Sequence, residues 1–136
     1  MKYIFQTIIA TSGTVLTYLY GGWSALLGIL LAFVIIDYVT GFLAAGHEGK
    51  LSSAIGFKGI GRKIGIFALV AVAHLIDQAL GNGSFIRDAA IFFYLANELL
   101  SIIENAGILD IPVPDIMLRA VEILKGKEEE KHEARH

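Results

Sequence analysis

Ionisable side chains interrupt three of the most apolar segments of this sequence. They are Asp37, His74, Asp77 and Glu98. An ionisable group within an apolar segment is costly unless it meets a partner or water, so such groups mark ion pathways, proton relays and buried pairs. Asp37 or Glu98 could carry protons in a transporter. His74 and Asp77 are three residues apart and are better placed to hydrogen-bond each other than to catalyse or to bind a metal.

Residue combinations that would indicate an enzyme are not recognisable in the sequence. GFKGIG, residues 56–61, is not a phosphate loop, because no strand precedes it and no Gly-Lys-Ser/Thr follows. The chain has no cysteine, and its net charge of −2 gives no reason to expect nucleic acid. His132 and His136 stand four apart near the C-terminus, but two histidines on a weakly helical segment do not make a metal site. We expect no catalytic residue, no metal and no cofactor.

The elements that must hold these side chains have the character of membrane helices. Of the 136 residues, 55% are hydrophobic, and the mean hydropathy of +0.65 exceeds what a soluble domain of this size needs for one core. Crossing a bilayer core of about 30 Å takes roughly 17 to 25 apolar residues. Residues 22–45, 64–80 and 86–105 fit as spans, and residues 3–20 form either a fourth span or an interfacial helix. The sequence predicts an all-α integral membrane protein with three to four transmembrane helices.

Residues 106–136 differ from this membrane domain of residues 1–105. PVPDIMLRAVEILKG, from Pro112, predicts a short amphipathic helix that ends at Gly126, and a charged tail follows it. The tail is rich in basic residues, which accumulate on the cytoplasmic side of membrane proteins. Residues 106–136 are therefore predicted to be cytoplasmic.

Basic residues also orient the spans. The connection of residues 81–85 carries none, whereas residues 46–63 carry four, and the positive-inside rule then places residues 46–63 in the cytoplasm. We expect a basic loop at the lipid headgroups. Its basic residues are Lys50, Lys58, Arg62 and Lys63.

Small residues predict where helices approach one another closely. At 100° per residue, Asp37 shares a face with Gly41, so the carboxylate is expected to face protein rather than lipid. In the next span, Gly61, Gly65 and Ala68 form a face suited to helix packing. The opposite face, which is predicted to meet water, carries Val70, His74, Asp77 and Gln78.

A polar stripe runs along the third predicted span, opposite a face of leucine and isoleucine. Such a stripe has three interpretations: it lines water, it forms a polar seam between helices, or it is the wet face of a helix lying on the membrane. Because every span carries polar groups, we expect several copies to pack side by side as a homo-oligomer. The polar stripe consists of Tyr94, Asn97, Glu98, Ser101, Glu104 and Asn105.

The residues between 22 and 105 also resemble a known family. The pattern is similar to that of the toxin-secretion/phage-lysis holin family: Asp37-Tyr38 and Thr40-Gly41, then Lys50, Ser52-Ser53, Gly56, Lys58-Gly59 and Arg62-Lys63, which enter an apolar helix that ends in Asp77. This resemblance covers most of residues 22–105.

The resemblance implies a small bacteriophage or prophage protein of the bacterial cytoplasmic membrane. Such a protein oligomerises and opens lesions at a set time, and a muralytic enzyme then crosses to the wall without needing direct contact. The family name also covers relatives linked to toxin secretion, and it implies no enzymatic activity. The sequence leaves two alternatives open: a small proton-coupled transporter or ion channel, and a passive membrane scaffold.

Overall fold

The structure, a computed structural model, describes residues 1–135 and contains helices but no strands in that range. His136, a member of the histidine pair considered above, lies outside the described residues. The predicted all-helical class is confirmed, and the count of three to four spans stays a prediction. Two of the helices, α2 and α3, are long and apolar enough to cross a membrane. The helices are α1 Lys2–Tyr20, α2 Ala25–His47, α3 Ser53–Leu80, α4 Phe85–Ile108 and α5 Asp115–Arg135.

Glycine and serine divide α1 from α2. Gly21 adopts a left-handed conformation with φ of 77° and donates its N–H to the carbonyl of Thr17, which closes α1. Gly22 follows with φ of 100°, a value that residues other than glycine rarely adopt. Ser24 then accepts a hydrogen bond from the Leu27 N–H at 3.2 Å and caps α2. The chain therefore turns sharply between the two helices.

Three helices surround a single apolar core. The core contains Leu27 and Leu30 of α2, Val70 of α3, and Ile91 and Leu95 of α4. Helices α2 and α4 run parallel and α3 runs antiparallel to both, so residues 48–52 lie at one end of the bundle with the end of α4. Residues 21–24 and 81–84 lie at the opposite end. Helix α4 packs extensively on α2 and on α3, whereas α2 and α3 touch each other little.

The predicted basic loop is largely helical, which corrects the sequence-based boundary. Helix α3 begins at Ser53, with Ser52 accepting from the Ile55 N–H at 3.1 Å, so Lys58, Arg62 and Lys63 lie on α3. Because glycine has a low helix propensity, the glycines of this segment disfavour a regular helix. However, Gly56 and Gly59 pack against the Tyr38 ring, where an added Cβ would lie 3.5 to 3.7 Å from Tyr38 atoms. Packing thus overrides low helix propensity, and only Lys50 remains in the connection.

The C-terminal helix is longer than predicted and does not end at Gly126. Helix α5 reaches Arg135 and runs antiparallel along α4, with Val121 buried and Leu124 against the core. Lys131 lies 3.5 Å from Asp88, near the start of α4. The charged tail is therefore folded back along the bundle. The sequence predicts the tail on the same side as Lys50. In the structure, Lys131 of the tail lies at the opposite end of the bundle from Lys50.

Helix α1 stands apart from the rest. Its residues 1–18 are exposed, and only its last turn contacts α3. The Tyr20 hydroxyl donates to the carbonyl of Phe67 at 3.0 Å, which fastens this end of the helix. Most of α1 consequently lacks a partner within the described chain.

Candidate functional site

A buried charge cluster joins the three core helices. It consists of Asp37 on α2, Lys63 on α3 and Glu98 on α4. The Lys63 ammonium donates to Asp37 Oδ2 and to both carboxylate oxygens of Glu98, at 2.8 Å and 2.6 Å. The Lys63 side chain is 18% exposed, and those of Asp37 and Glu98 are 7% and 6% exposed. One cation therefore holds two carboxylates from two other helices.

An amide extends the charge cluster toward the end of α4. Asn105 donates to Asp37 Oδ1 at 3.0 Å and to the Thr40 hydroxyl oxygen at 3.0 Å. Gly41 packs beside this amide, and a Cβ on Gly41 would lie at an ordinary contact distance of 3.5 Å from Asn105 Nδ2. The Thr40 hydroxyl in turn donates to the carbonyl of Ile36 at 2.8 Å. The Asp37 carboxylate thus receives a cation on one oxygen and an amide on the other.

The charge cluster lies near the middle of α2 and of α4, where a single charge is least tolerated in a membrane. A lone Asp or Lys at such a depth costs about 2.5 to 3.5 kcal/mol on insertion scales. Pairing with hydrogen bonds offsets that cost, and removal of one partner from a buried pair typically costs about 3 to 5 kcal/mol. The cluster holds two acids and one base, so a formal charge of −1 is left when all three are ionised. It can act as a structural lock or as an exchange site for a proton or a cation.

A cavity connects the charge cluster to the end of the bundle that carries residues 48–52. Its volume is about 240 Å³, and its lining includes Lys50 and Ser52 at the mouth and Asp37, Lys63 and Ser101 at the inner end. Polar groups occupy both ends of this cavity. Water can therefore approach the charge cluster from this end of the bundle.

The predicted polar stripe is divided between two environments. Glu98 is buried and Ser101 and Asn105 are half-buried on the side facing α2 and α3, whereas Asn97 and Glu104 are exposed. Tyr94 is half-buried and meets the Phe93 ring edge-on at 5.2 Å between centroids. Part of the stripe is therefore a seam between helices within one chain, and the rest points outward. The leucine face opposite to the stripe is also packed within the chain, since Leu95 and Leu99 are buried.

A second polar site ties the helix ends together. Asp77 is fully buried and accepts from the backbone N–H groups of Ile86 and Arg87, both at 2.8 Å, so it caps α4. The Arg87 guanidinium donates to the Tyr20 carbonyl at 2.8 Å and to Asp88. The corner between α3 and α4 is thereby joined to the end of α1.

Two predictions about this face of α3 are wrong. His74 and Asp77 do not hydrogen-bond each other, because Asp77 points to the α4 backbone, and His74 Nδ1 has no hydrogen-bond partner among the described residues. The face expected to meet water is mostly packed: Val70, His74 and Asp77 are buried, whereas Gln78 is exposed. Polar residues at helical spacing indicated water, but they serve contact with α4 and α1.

The small-residue face of α3 lies open. No described atom comes within 4 Å of a Cβ placed on Gly61 or Gly65, and Ala68 is exposed. Lys58 and Arg62 are exposed on the first turns of the same helix. Gly41 therefore makes a close helix contact inside one chain, whereas Gly61, Gly65 and Ala68 do not.

Sequence reasoning missed Lys63 as the partner of the two carboxylates. It was counted with the basic residues outside the membrane because it follows Arg62 directly. The available signal was its position at the border of an apolar segment, where a long cationic side chain can reach inward. Arg87 lies within the predicted span of residues 86–105, and its contact with the Tyr20 carbonyl of α1 has no signal in the sequence.

Comparison with known proteins places this arrangement in a family. The sequence pattern of the bacteriophage holin family matches residues 14–126, a range that contains the whole charge cluster. The chain belongs to the bacteriophage holin family. The resemblance stated above is thereby confirmed. The holin family is not a family of enzymes, and membership together with two apolar helices indicates a membrane protein.

Relatives of this holin-family chain share nearly its whole length. An uncharacterized protein of Listeria innocua is 46% identical over 136 residues, covering 98% of this chain and 97% of the relative. One from Halalkalibacterium halodurans is 44% identical over 133 residues, covering 94% and 98%. One from Clostridium perfringens is 36% identical over 120 residues, covering 88% and 91%. No solved structure matches the chain.

Proposed function

We propose that the protein is a holin that oligomerises in the bacterial cytoplasmic membrane and forms lesions through which a muralytic enzyme or a toxin crosses. The observation that carries this proposal is the contrast between the outer faces of the bundle. Ile36 and Leu43 of α2 are about half exposed, as is Leu69 of α3, and these apolar faces suit lipid. Helix α5 instead exposes charges along its length, beside the exposed Ile116 and Ile123.

A charged helix on an apolar bundle favours assembly around water. The exposed charges of α5 include Arg119, Glu122, Lys125, Lys127 and Glu129. At about 2.5 to 3.5 kcal/mol for each charge, even these five would cost more than 12 kcal/mol against lipid. Several copies that turn α4 and α5 toward a shared aqueous space avoid this cost, while the faces of α2 and α3 that carry Leu43 and Leu69 meet the bilayer.

The orientation follows from the basic residues at one end of the bundle. Lys50, Lys58 and Arg62 favour the cytoplasmic side for the end that carries residues 48–52. Helix α5 starts from that same end, so cytoplasmic water reaches it. We infer three to four spans, with α2, α3 and α4 crossing and α1 either crossing or lying in the interface. The partners are further copies of the chain and lipid, and no catalytic activity is involved.

A small proton-coupled transporter is the second candidate, and the charge cluster favours it. Two carboxylates that share one lysine, reached by a cavity from one end, can exchange a proton without leaving the protein. Such a transporter would keep expressing cells alive and would depend on one acid. A holin would abruptly end the membrane potential.

Inducible expression in a bacterium separates these functions. We expect a delay with normal growth, followed by sudden loss of membrane potential and viability, with potential followed by a voltage-sensitive dye. Glu98→Gln, which removes a charge and keeps the shape, should shift the time of lysis while assembly persists. Continued growth with a proton flux that Glu98→Gln abolishes would instead indicate the transporter. A protein that causes neither would be a scaffold.

A further inference from the structure

Helix α1 and the surface between α2 and α3 are each unpartnered in the described chain. Phe5, Ile8 and Ile9 of α1 are 65%, 59% and 56% exposed, although they form its apolar side. Three of the four threonines of α1, Thr7, Thr14 and Thr17, donate to carbonyls four residues earlier on α1 itself. Because their hydroxyls are satisfied internally, this helix can be buried against an apolar surface without leaving those donors unpaired.

An apolar groove lies between α2 and α3, because these two helices pack mainly on α4 and only little on each other. Its volume is about 720 Å³. On α3 it extends from Ile60 to Leu75, a length of about 22 Å at 1.5 Å per residue, which a helix of the length of α1, about 28 Å, can cover. Ala68 and Ala71 on its floor permit the close approach of a helix backbone.

The chain's own α1 is held away from this α2–α3 groove. Leu19 and Tyr20 already line one end of the groove. Tyr20 is fixed there through both its hydroxyl, which donates to Phe67, and its carbonyl, which accepts from Arg87 at 2.8 Å. The remaining residues, 1–18, leave the groove exposed. The last turn of α1 thus packs at one end of the groove, whereas the rest of the same helix does not contact it.

We propose that the α2–α3 groove of each chain receives α1 of a second copy. The small residues from Ala10 to Thr14 at the centre of α1 match the alanines of the groove floor, and its isoleucines and phenylalanine meet the groove walls. Each copy donates one helix and offers one groove, so the contact can be repeated from copy to copy. This interface rests on the proposed self-assembly and names the surfaces that carry it.

Crosslinking between copies tests the interface, and the absence of cysteine from the chain makes it selective. One tagged copy carries Ile8→Cys, and a second copy with a different tag carries Val72→Cys in the groove. The matched control in the second copy is Leu69→Cys, which is 55% exposed but does not line the groove. Both copies are expressed together in membranes and oxidised.

We expect at least about tenfold more interchain product for Ile8 with Val72 than for Ile8 with Leu69, because docking fixes a high local concentration. A single chain carrying both Ile8→Cys and Val72→Cys should form the disulfide between chains. A disulfide within one chain would mean that α1 fills its own groove, and equal yields at Val72 and Leu69 would mean that lipid fills it. Either result overturns the proposal.

The test also separates this interface from the holin function. Sudden loss of membrane potential without the Ile8–Val72 link would refute the interface alone. The link without any loss of membrane potential would support the interface and refute the holin.

Discussion

Replacement of Lys63 by methionine tests the charge cluster directly. Methionine keeps an unbranched chain of similar length but removes the cation that contacts Asp37 and both oxygens of Glu98. Since both carboxylates lie within hydrogen-bond distance of one nitrogen, their nearest oxygens are at most about 5 Å apart. Two unit charges at that distance repel by about 3 kcal/mol at an effective dielectric constant of 20.

The expected loss of stability is larger for Lys63→Met than for the replacement of an exposed lysine. The repulsion agrees with the roughly 3 to 5 kcal/mol typical of a buried pair that loses one partner, so Lys63→Met should lower the folded-to-unfolded ratio by at least about a hundredfold. Lys58→Met is the matched control, because Lys58 is exposed on the same helix and has no such contacts. Thermal unfolding in detergent, followed by circular dichroism, measures the difference.

A triple substitution separates the loss of charge balance from a loss of packing. Asp37→Asn and Glu98→Gln, added to Lys63→Met, leave no unpaired charge and should recover most of the lost stability. If Lys63→Met unfolds at the same temperature as Lys58→Met, the charge cluster does not hold the three helices together. If the triple variant is as unstable as Lys63→Met, packing rather than charge is the cause.

Other contacts give further predictions. Asn105→Ala removes three hydrogen bonds, two to Asp37 and one to Thr40, and should cost about 1 to 3 kcal/mol, while Asn97→Ala on the exposed part of the stripe should be nearly neutral by the same unfolding measurement. Asp77→Ala removes the cap of α4 and should speed hydrogen exchange at the two amides it accepts from; unchanged exchange would contradict that role. Gly65→Leu meets open space, so it should leave the unfolding temperature unchanged but reduce crosslinked oligomer relative to Leu69→Phe.

Helical periodicity was sufficient to predict the all-helical class, because the apolar segments are long and separated by glycine and serine. It was also sufficient to place Asp37 on a face with Gly41, and in the structure that face meets α4. Both inferences rest on local spacing along one helix. Local spacing is encoded in consecutive residues and needs no knowledge of the neighbours.

Contacts between helices were beyond this reasoning. Lys63 joins Asp37 and Glu98 only because α3 runs antiparallel to α2 and α4, which brings together residues 26 and 35 positions apart. The length of α5 was underestimated because Gly126 disfavours a helix, whereas packing of Leu124 and Lys131 along α4 maintains it. His74 and Asp77 were paired by spacing, yet the amide groups at the start of α4 bind Asp77 instead.

In the proposed topology, in which α2, α3 and α4 all cross the membrane, the charge cluster also sets the order in which the helices can enter it during synthesis. The nine Leu, Ile, Phe and Val residues of LLGILLAFVII favour membrane insertion by roughly 3 to 5 kcal/mol. This free energy is enough to offset the cost of Asp37, so α2 can enter first with its carboxylate unpaired. Helix α4 is not apolar enough by itself, since it carries Arg87, Asp88, Glu98 and Glu104. Helix α4 can insert into the membrane only after α3 has placed Lys63 beside Asp37. Nascent chains that end before α4 should therefore be stable intermediates, and a chain without Lys63 should fail at the fourth helix rather than at the second.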